Sequence, residues 1–452
     1  MRRRASLLAP HPSAACAVLG CVLVCSCGDS EETRRPSDVV AEVSDEISTV
    51  VSVTWRTDLE SIGYVEYGVT RDMDQNTPLE TDESRDHALS VLGLLADTDY
   101  YYRVITWDAD GAAASEIETF RTGALPASLP SVEQEGGDHA ELIVAPLTGE
   151  ASAVVVMDPD GNLVWYHLDD RGFELRRARI SFDGSSVLYG AAGPIDTPAD
   201  DSEIVRVALD GSESSAVTVP GLGFDFVEHE DGTLAALVAE TRDFEGEPLR
   251  GDQIVEIDSD GELTTIWSAW DCFDPADVPG DDPELGWTFA NALDYDAEQD
   301  KYFVGLRNLS SIVKVDRASG ECDWVLGAAA GTIEFADEAE PFLHQSQFHV
   351  RGTHVIVLDG GPDGDSRVLD YQLDEEANTV TQVWSYVPDP SVDAGLLGQP
   401  TRLADGNETF INWGEAGKLE RVTPDGESLW SAQLEPGYSI GYHTLVTSLY
   451  QE

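Results

Sequence analysis

Short apolar strands separated by Asp-Gly and other polar turns fill the last three hundred residues. One set of six hairpins lies at 154–166, 204–217, 254–267, 311–324, 367–384 and 418–430. Each has alternating apolar positions on both sides of a tight turn, which is typical of a β-hairpin. The turn glycines Gly161, Gly211 and Gly261 are spaced by 50 residues. A fixed period made of strands predicts radial repetition, because one small sheet cannot bury both of its faces.

A second set of hairpins lies between the first ones, at 177–190, 224–240, 289–306, 345–360 and 399–413. Two hairpins make one four-stranded blade, so the pattern predicts a propeller of six blades over residues 138–452. The sixth blade lacks its own second hairpin. Spare strands at 141–146 and 443–450 are expected to pair in one blade and close the ring, which removes exposed strand edges.

A separate domain is predicted for residues 38–122, where shorter alternating strands carry Trp55 and a Thr98, Tyr100, Tyr102 series. The series resembles the tyrosine corner of a β-sandwich, and the domain resembles fibronectin type III. Its His87 is expected to be structural. Residues 123–137 form a linker rich in Pro, Gly and Ser. The whole chain is therefore expected to be all-β, a sandwich followed by a propeller.

The N-terminus has the features of an export signal. Three arginines at 2–4 precede a short apolar run at 14–25, which ends in the sequence VCSC. This resembles a bacterial lipoprotein signal over residues 1–27, with Cys27 as the lipidated residue and 28–37 as a tether. An ordinary cleaved signal is the alternative. We expect an exported, periplasmic or cell-surface lipoprotein held to the membrane by its lipid, and Gly28 after Cys27 favours the outer membrane.

Two cysteines, Cys272 and Cys322, remain outside the signal region. In an exported protein a lone pair of this kind predicts one disulfide. Neither has a second cysteine close by in the sequence, which excludes a CxxC redox or metal site.

Charge restricts the partners. The chain has 26 basic and 86 acidic residues, a net charge of −60. Such a surface repels nucleic acid, so no nucleic-acid partner is expected. An anionic substrate would need a locally positive pocket.

The acidic turns at 158–162 and 359–366 fit hairpin turns better than calcium loops, so no metal site is predicted. P-loop, GxGxxG, GxSxG and HExxH motifs are absent, and no cofactor is expected. The sequence leaves the oligomeric state open.

Several propeller segments resemble the bacterial arylsulfotransferase family, in order along the chain. They lie at 251–271, 287–327, 341–361, 366–374 and 402–426. The resemblance implies a β-sandwich followed by a six-bladed propeller. It also implies transfer of a sulfuryl group from a phenolic sulfate ester to a phenol, with no nucleotide cofactor. A channel histidine would carry the sulfuryl group, other histidines would act as acid and base, and Arg or Asn side chains would hold the sulfonate.

The family histidines are mostly replaced in this chain. Phe289, Ser346, Gly223 and Phe224 stand at positions where the family has histidine, and Gln347 stands where it has aspartate. The family pattern keeps Asn291, Arg307, His344, Gln345 and Arg367.

There are two candidate catalytic residues: His344, which the family pattern keeps, and His443, which lies near the C-terminal strand. The candidate substrate-binding residues are Asn291, Arg307, Gln345 and Arg367. Each has a structural alternative: a hydrogen-bonded histidine at a strand end, a ring-closure residue, or an arginine paired with a carboxylate. His229 is expected to face solvent.

Three functions remain open from the sequence. The first is sulfuryl transfer through a channel histidine. The second is a catalytically degenerate propeller that binds an aromatic or anionic ligand or a surface partner. The third is a purely structural lipoprotein.

Overall fold

The computed structural model describes residues 35–109, 111–137, 139–280, 285–327, 330–361, 364–403, 406 and 408–450. The predicted signal and its Cys27 lie outside the described residues. Within the described part, no helix is both long and apolar enough to cross a membrane.

The first domain is built of seven strands. They are β1 (Ser37–Val43), β2 (Val51–Gly68), β3 (Gln75–Asn76), β4 (Ser84–Val91), β5 (Asp99–Asp108), β6 (Gly111–Ala114) and β7 (Glu118–Arg121). The long strand β2 pairs with β4 along its first part and with β5 from Ile62 onward, so it takes part in both sheets of the sandwich.

Aromatic residues fill the core of this sandwich. Trp55 is buried and stacks on His87, whose Nδ1 lies 2.8 Å from Glu80 Oε2. The Leu95 amide donates a hydrogen bond of 2.9 Å to the Tyr100 hydroxyl, which is the bond that defines a tyrosine corner. The fibronectin type III resemblance itself stays a prediction.

The second domain contains six small sheets arranged in a ring. Blade 1 contains β9 (Leu142–Thr148), β10 (Ala153–Met157), β11 (Leu163–Leu168), β33 (Ser439–Ile440) and β34 (Thr444–Val446). Blade 2 contains β12 (Glu174–Ile180), β13 (Ser186–Ala192), β14 (Glu203–Ala208) and β15 (Ser214–Thr218). Blade 3 contains β16 (Leu222–Glu228), β17 (Leu234–Phe244), β18 (Glu247–Ile257) and β19 (Leu263–Ser268), and the short helix α1 (Ala269–Cys272) follows it.

The remaining three blades complete the circle. Blade 4 contains β20 (Ala290–Asp296), β21 (Lys301–Leu306), β22 (Ser311–Asp316) and β23 (Cys322–Gly327). Blade 5 contains β24 (Glu334–Phe335), β25 (Phe348–Arg351), β26 (His354–Asp359), β27 (Arg367–Asp374) and β28 (Thr379–Tyr386). Blade 6 contains β29 (Gly398–Arg402), β30 (Thr409–Trp413), β31 (Lys418–Val422), β32 (Ser428–Leu434) and β8 (Val132–Gly136).

The ring closes as the spare strands predicted. The C-terminal β34 pairs antiparallel with β9, which are the two predicted spare strands. The strand β8 was not predicted: it lies within the segment expected to be a linker, and it extends blade 6 by pairing with β32. Both closures remove an exposed edge from the propeller. The all-β fold, an N-terminal sandwich followed by a six-bladed propeller, is thereby confirmed.

Three further contacts stabilise the assembly of blades and domains. Cys272 and Cys322 form a disulfide, with Cα atoms 6.3 Å apart, between α1 and blade 4. The sandwich packs on the propeller through Ile47, which belongs to the same apolar cluster as the propeller core. The amide of Leu92 also donates to the Tyr450 hydroxyl at 2.8 Å.

One residue-level expectation is wrong. His229 does not face solvent: it is buried, its Nε2 lies 2.7 Å from the Tyr302 hydroxyl, and its ring packs edge-on against Tyr295. Two aromatic neighbours from blade 4 cover His229, and the local sequence VEHEDG does not indicate that they lie there.

Candidate ligand-binding channel

Six inner strands surround the propeller axis, one from each blade. They are β34, β12, β16, β20, β25 and β29, and neighbours in this ring lie in contact or are joined by side-chain hydrogen bonds. Arg177 on β12 and Tyr442 just before β34 make a parallel bridge, so these strands begin at the same end of the channel. We call this end the strand-start end and the opposite one the channel mouth.

An aromatic cluster closes the strand-start end. Phe224 lies 5.3 Å from Phe289 and 6.5 Å from Tyr442, measured between ring centroids, and all three rings are buried. The Tyr442 hydroxyl also lies 3.3 Å from Ser346 Oγ, which is fully buried. Only about 30 Å³ of space remains in the cavity beside Phe224 and Phe289. Buried aromatic rings therefore occupy two of the positions at which the resemblance implies histidine, those of Phe224 and Phe289.

Two arginines lie over this aromatic cluster. The Arg176 guanidinium is 4.6 Å from the centroid of Phe224, and that of Arg307 is 5.7 Å from the centroid of Phe289. Burial lowers the pKa of Arg176, although Glu174 partly compensates. Arg307 also donates from Nε to the Gly395 carbonyl at 3.1 Å.

The other sequence-predicted residues occupy separate places. Asn291 Nδ2 donates to the Gln345 carbonyl at 2.8 Å, and Gln345 Nε2 donates to the Ser311 carbonyl at 2.9 Å, so the two amides join blades 4 and 5. His344 is half-buried with a left-handed backbone, φ 49°, and its amide donates to Ser310 Oγ.

Arg367 lies on β27, away from the ring of inner strands. Its Nε is 2.7 Å from Asp359 Oδ2, and Nη1 pairs with Glu340. These two carboxylates raise the pKa of Arg367 against the effect of burial. The structure thus brings Asn291 and Gln345 together and places Arg367 with acidic partners; the functional roles of all these residues stay predictions.

A buried ion pair spans the middle of the channel. Asp225 accepts from Arg177 Nε at 2.6 Å and Nη2 at 3.0 Å, and also from Gln347 Nε2 at 2.6 Å and the Leu293 amide at 2.9 Å. With a further hydrogen bond from the Phe226 amide at 2.9 Å, five donor groups satisfy this carboxylate, as a buried charge requires. Arg177 Nη1 donates further to the His443 carbonyl at 2.9 Å, which links blade 2 to the closing segment.

Beyond that pair the channel opens into a cavity of about 250 Å³, the channel-mouth cavity. Its polar lining is formed by Arg177, Arg179, Asp294, His349, Gln399, Thr401 and His443. His443 is fully buried: Nε2 lies 3.3 Å from Thr401 Oγ1, and Nδ1 has no hydrogen-bond partner within the described residues. Nδ1 of His349 is also buried and also has no hydrogen-bond partner within the described residues.

Positive charge in this cavity is incompletely compensated. Burial, followed by repulsion from Arg177, lowers the pKa of Arg179 to about 10, despite the nearby carboxylates of Asp225 and Asp294. Its closest carboxylate contact is 3.7 Å, to Asp225. Burial, Arg177 and His349 lower the pKa of His443 to about 3, so this imidazole is neutral at any physiological pH. Such shifts mark a place where a bound anion would be stabilised.

Sequence reasoning missed this arginine pair. One signal was present: Arg176, Arg177 and Arg179 crowd into a single strand of a chain with only 26 basic residues. In an alternating strand, Arg177 and Arg179 share a face, and on an inner strand that face is the channel.

The comparisons with known proteins agree with the resemblance. The family model described as arylsulfotransferase (ASST) matches residues 132–354. No protein among the curated ones matches.

Solved structures share only a loose likeness with this chain. One is a protein of unknown function from Bacteroides caccae, 13% identical, covering 69% of this chain and 100% of its own, TM-score 0.42. Another is the allergen Mala s 1 of Malassezia sympodialis, 9% identical, covering 72% and 97%, TM-score 0.41. A third is an auxiliary nutrient binding protein from Bacteroides ovatus, 10% identical, covering 90% and 91%, TM-score 0.39. Similarity at this level carries no argument about function.

Proposed function

Since the chain belongs to the arylsulfotransferase family through residues 132–354, we propose that its channel-mouth cavity binds the sulfate group of an aryl sulfate ester. One observation carries the proposal: the partly buried Arg179 lines this cavity with its closest carboxylate contact at 3.7 Å and its pKa lowered to about 10, in a chain whose net charge is −60. An incompletely compensated cation inside so acidic a molecule favours an anionic ligand, because the anion adds the missing compensation.

The lining suits a sulfate in chemistry and in size. A guanidinium presents a planar set of donors that matches the oxygens of oxyanions, and Thr401 adds a hydroxyl. A cavity of about 250 Å³ is slightly below the usual range for drug-sized ligands, roughly 300–1,000 Å³, which fits a small anion carrying a single ring. Asp294 opposes binding, so a modest affinity is expected.

Binding without transfer is the form of this function that we favour. The aromatic cluster closes the strand-start end of the channel, and Phe289, Phe224 and Ser346 stand at positions where the family resemblance expects histidine. Loss of a nucleophile lowers the rate of group transfer by orders of magnitude, while binding in the channel mouth needs no nucleophile.

Two charge changes of opposite sign test the binding site. The affinity of the purified chain for 4-nitrophenyl sulfate, measured by calorimetry, should fall about 10- to 100-fold in Arg179→Gln, since a charge-assisted hydrogen bond contributes about 1.5–3 kcal/mol. The affinity should rise in Asp294→Asn. This variant keeps a side-chain oxygen that can accept the hydrogen bond from the Tyr295 amide, but it removes the negative charge. The exposed Arg85 of the sandwich provides the matched control, Arg85→Gln. No binding by the wild type, or equal binding by Arg179→Gln, would refute the site.

Sulfuryl transfer through His443 is the second candidate, and the neutral imidazole with its unpartnered Nδ1 favours it. The lone pair of a ring nitrogen would form the N–S bond while the S–O(aryl) bond breaks and its electron pair leaves with the phenolate. A phenol oxygen would then take the sulfuryl group, returning the pair to the imidazole and its own proton to water.

A turnover assay separates transfer from binding. With 4-nitrophenyl sulfate as donor and excess phenol as acceptor, transfer requires nitrophenol release that disappears in His443→Ala. Release that disappears only in His344→Ala would move the nucleophile to the other sequence-predicted histidine. Ester binding with no release at any pH between 6 and 9 supports the binding function alone.

We also propose that the protein is an exported lipoprotein anchored through Cys27. The support is the sequence: a charged N-terminus, a short apolar run and VCSC. Mass spectrometry of the native protein should find an N-terminal Cys27 carrying acyl chains. An unmodified N-terminus at any other residue contradicts the anchor.

A further inference from the structure

The channel-mouth cavity contains a carboxylate beside its arginines. Asp294 is half-buried on β20 and lines the cavity. Its Oδ1 accepts the amide of Tyr295 at 2.9 Å, and its Oδ2 has only a long hydrogen bond of 3.5 Å from the amide of Val350. Among the described residues, Asp294 forms no ion pair with a lysine or an arginine. One carboxylate oxygen is therefore left to accept a hydrogen bond from a ligand.

Arg179 offers the donors that complement this acceptor. Its Nε donates to the Phe226 carbonyl at 2.8 Å, while Nη1 and Nη2 make no hydrogen bond within the described part of the chain. The nearest carboxylate, that of Asp225, lies 3.7 Å from Nη2 and is already held by two hydrogen bonds from Arg177. The two Nη groups of Arg179 can therefore hold two oxygens of a tetrahedral anion in a bidentate arrangement.

A carboxylate next to an arginine distinguishes oxyanions by the protons that they carry. The free oxygens of a sulfate monoester can only accept hydrogen bonds, so Asp294 repels that ligand. A phosphate monoester has a second pKa of about 6, and its monoanion keeps one P–O–H donor. That hydroxyl can donate to Asp294 Oδ2 while two other oxygens accept from Arg179. The carboxylate that opposes a sulfate ester thus favours a protonated phosphate.

A ligand ammonium group is the other donor that Asp294 could bind, and the lining disfavours it. An ammonium has three donors, whereas Oδ2 of Asp294 is the one carboxylate oxygen in the described lining that lacks a short hydrogen bond. The ammonium would also add a positive charge next to Arg177 and Arg179, which already repel each other. The P–O–H group brings its proton without a positive charge, so phosphate is the better match.

We propose that the channel-mouth cavity also binds a singly protonated phosphate group, with Asp294 accepting the P–O–H and Arg179 holding two further oxygens. The phosphate belongs to a monoester or is free H₂PO₄⁻, since both present this chemistry. The inference rests on the proposed function, because the same Arg179 holds the anion in both cases. Asp294 is then the residue that determines specificity: it weakens the binding of a sulfate ester and strengthens that of a protonated phosphate.

Other groups near Asp294 also affect how binding depends on pH. The charged and titratable groups around Asp294 and its neighbour His349 are Arg177 and Arg179 on β12, Asp225 on β16, His349 and Arg351 on β25, Arg402 on β29, and His443 before β34. Burial lowers the pKa of His349 and of His443, which favours their neutral forms. A sulfate ester does not itself titrate, so its pH dependence reports these protein groups alone.

Calorimetry with phenyl phosphate and phenyl sulfate at pH 5.5 and pH 7.5 tests the selection by Asp294. For a second pKa of about 6, the protonated fraction of the phosphate rises from about 3% at pH 7.5 to about 76% at pH 5.5, so its affinity for the wild type should rise about 20-fold. The affinity for phenyl sulfate should change far less over the same range.

Asp294→Asn removes the charge and keeps the shape of the side chain. At pH 5.5 the ratio of phenyl phosphate affinity to phenyl sulfate affinity should fall about 10- to 100-fold in this variant, because a charge-assisted hydrogen bond is lost. Phenyl sulfate should bind more tightly than to the wild type, which also shows that the variant is folded. Glu298→Gln removes the same charge from an exposed position in the turn after β20, and it should behave as the wild type does.

The outcomes separate this inference from the proposed function. If phenyl sulfate binds through Arg179, while phenyl phosphate shows no rise at pH 5.5 or Asp294→Asn leaves the affinity ratio unchanged, the phosphate proposal is overturned and the sulfate ester proposal stands. If phenyl phosphate binds with a rise that depends on Asp294 while phenyl sulfate does not bind, the phosphate site stands and the sulfate ester proposal fails. If neither binds, both proposals fail.

Inorganic phosphate in the same assay identifies the source of the phosphate group. Weaker binding of inorganic phosphate than of phenyl phosphate identifies a monoester as the ligand, and equal or tighter binding identifies free phosphate. Either result supports the site only if Asp294→Asn lowers the affinity at pH 5.5 relative to that for phenyl sulfate.

Discussion

Burial lowers the pKa of five histidines in the described part of this chain. Desolvation is the first cause that lowers the pKa of His443, and it is also the first cause for four others, His139, His167, His229 and His349. The pKa of His443 is lowered to about 3, first by burial and then by Arg177 and His349, which line the same cavity. A group that stays neutral in the folded chain but binds a proton when unfolded makes stability depend on pH.

The dependence has a definite sign. With a folded pKa of about 3 and an unfolded value near 6.5, His443 takes up a proton on unfolding at pH values between these two. Its contribution to the free energy of unfolding is therefore fully present above the unfolded pKa and is lost as pH falls toward 3. Urea unfolding at pH 7.5 and pH 5 should show a smaller acid-induced loss in His443→Gln than in the wild type. The exposed His354 gives the control, His354→Gln, with the wild-type loss; equal losses in all three proteins would contradict the argument.

Single residues also mark the limit of prediction from sequence. Family motifs pointed to Asn291 and Gln345, and the structure does bring them together. The same reasoning missed Arg179, because the cavity depends on which residues of distant blades lie side by side. Arg177 contacts Gln399 and His443, which are 222 and 266 positions away. A local sequence pattern does not show which residues of distant blades will lie side by side, whereas the alternation of apolar positions within one strand is local.

At the scale of elements, alternation was sufficient to predict the fold. Each strand pair has a polar turn and a period of two, so six hairpins and their partners translated directly into blades. The apolar segments at the two ends of the propeller likewise predicted that β9 and β34 would pair. The aromatic cluster was not predictable in this way, because Phe224, Phe289 and Tyr442 come from the beginnings of three different inner strands.

That cluster should contribute measurably to stability. Phe289→Ala removes a buried ring that contacts Phe224, and truncations of this kind cost about 3–5 kcal/mol. We expect the midpoint of thermal unfolding to fall by several degrees in Phe289→Ala. Phe182 is 61% exposed, and Phe182→Ala should leave the midpoint unchanged. Equal midpoints for the two variants would mean that the strand-start end is loosely packed rather than closed.

At the scale of the whole molecule, 86 acidic residues against 26 basic ones produce a repulsion that folding has to overcome. The paired arginines offset it only locally, as at Asp225 and Asp370. Self-repulsion of this size destabilises the compact state, and salt screens it: the Debye length falls from about 10 Å at 0.1 M to 3 Å at 1 M. The same field repels the anion that the channel-mouth cavity is proposed to bind, so stability and ligand capture both depend on ionic strength.

The midpoint of thermal unfolding should therefore rise between 0.05 and 0.5 M NaCl, with each kcal/mol of relief corresponding to about 2–4 °C in a domain of 150–250 residues. Sucrose at matched osmolality controls for general exclusion effects and should produce a smaller rise. Chloride bound in the channel mouth is the other source of a salt effect, and Arg179→Gln separates the two. An equal rise in Arg179→Gln assigns the effect to screening of the acidic surface, and a rise that vanishes in the variant assigns it to anion binding at Arg179.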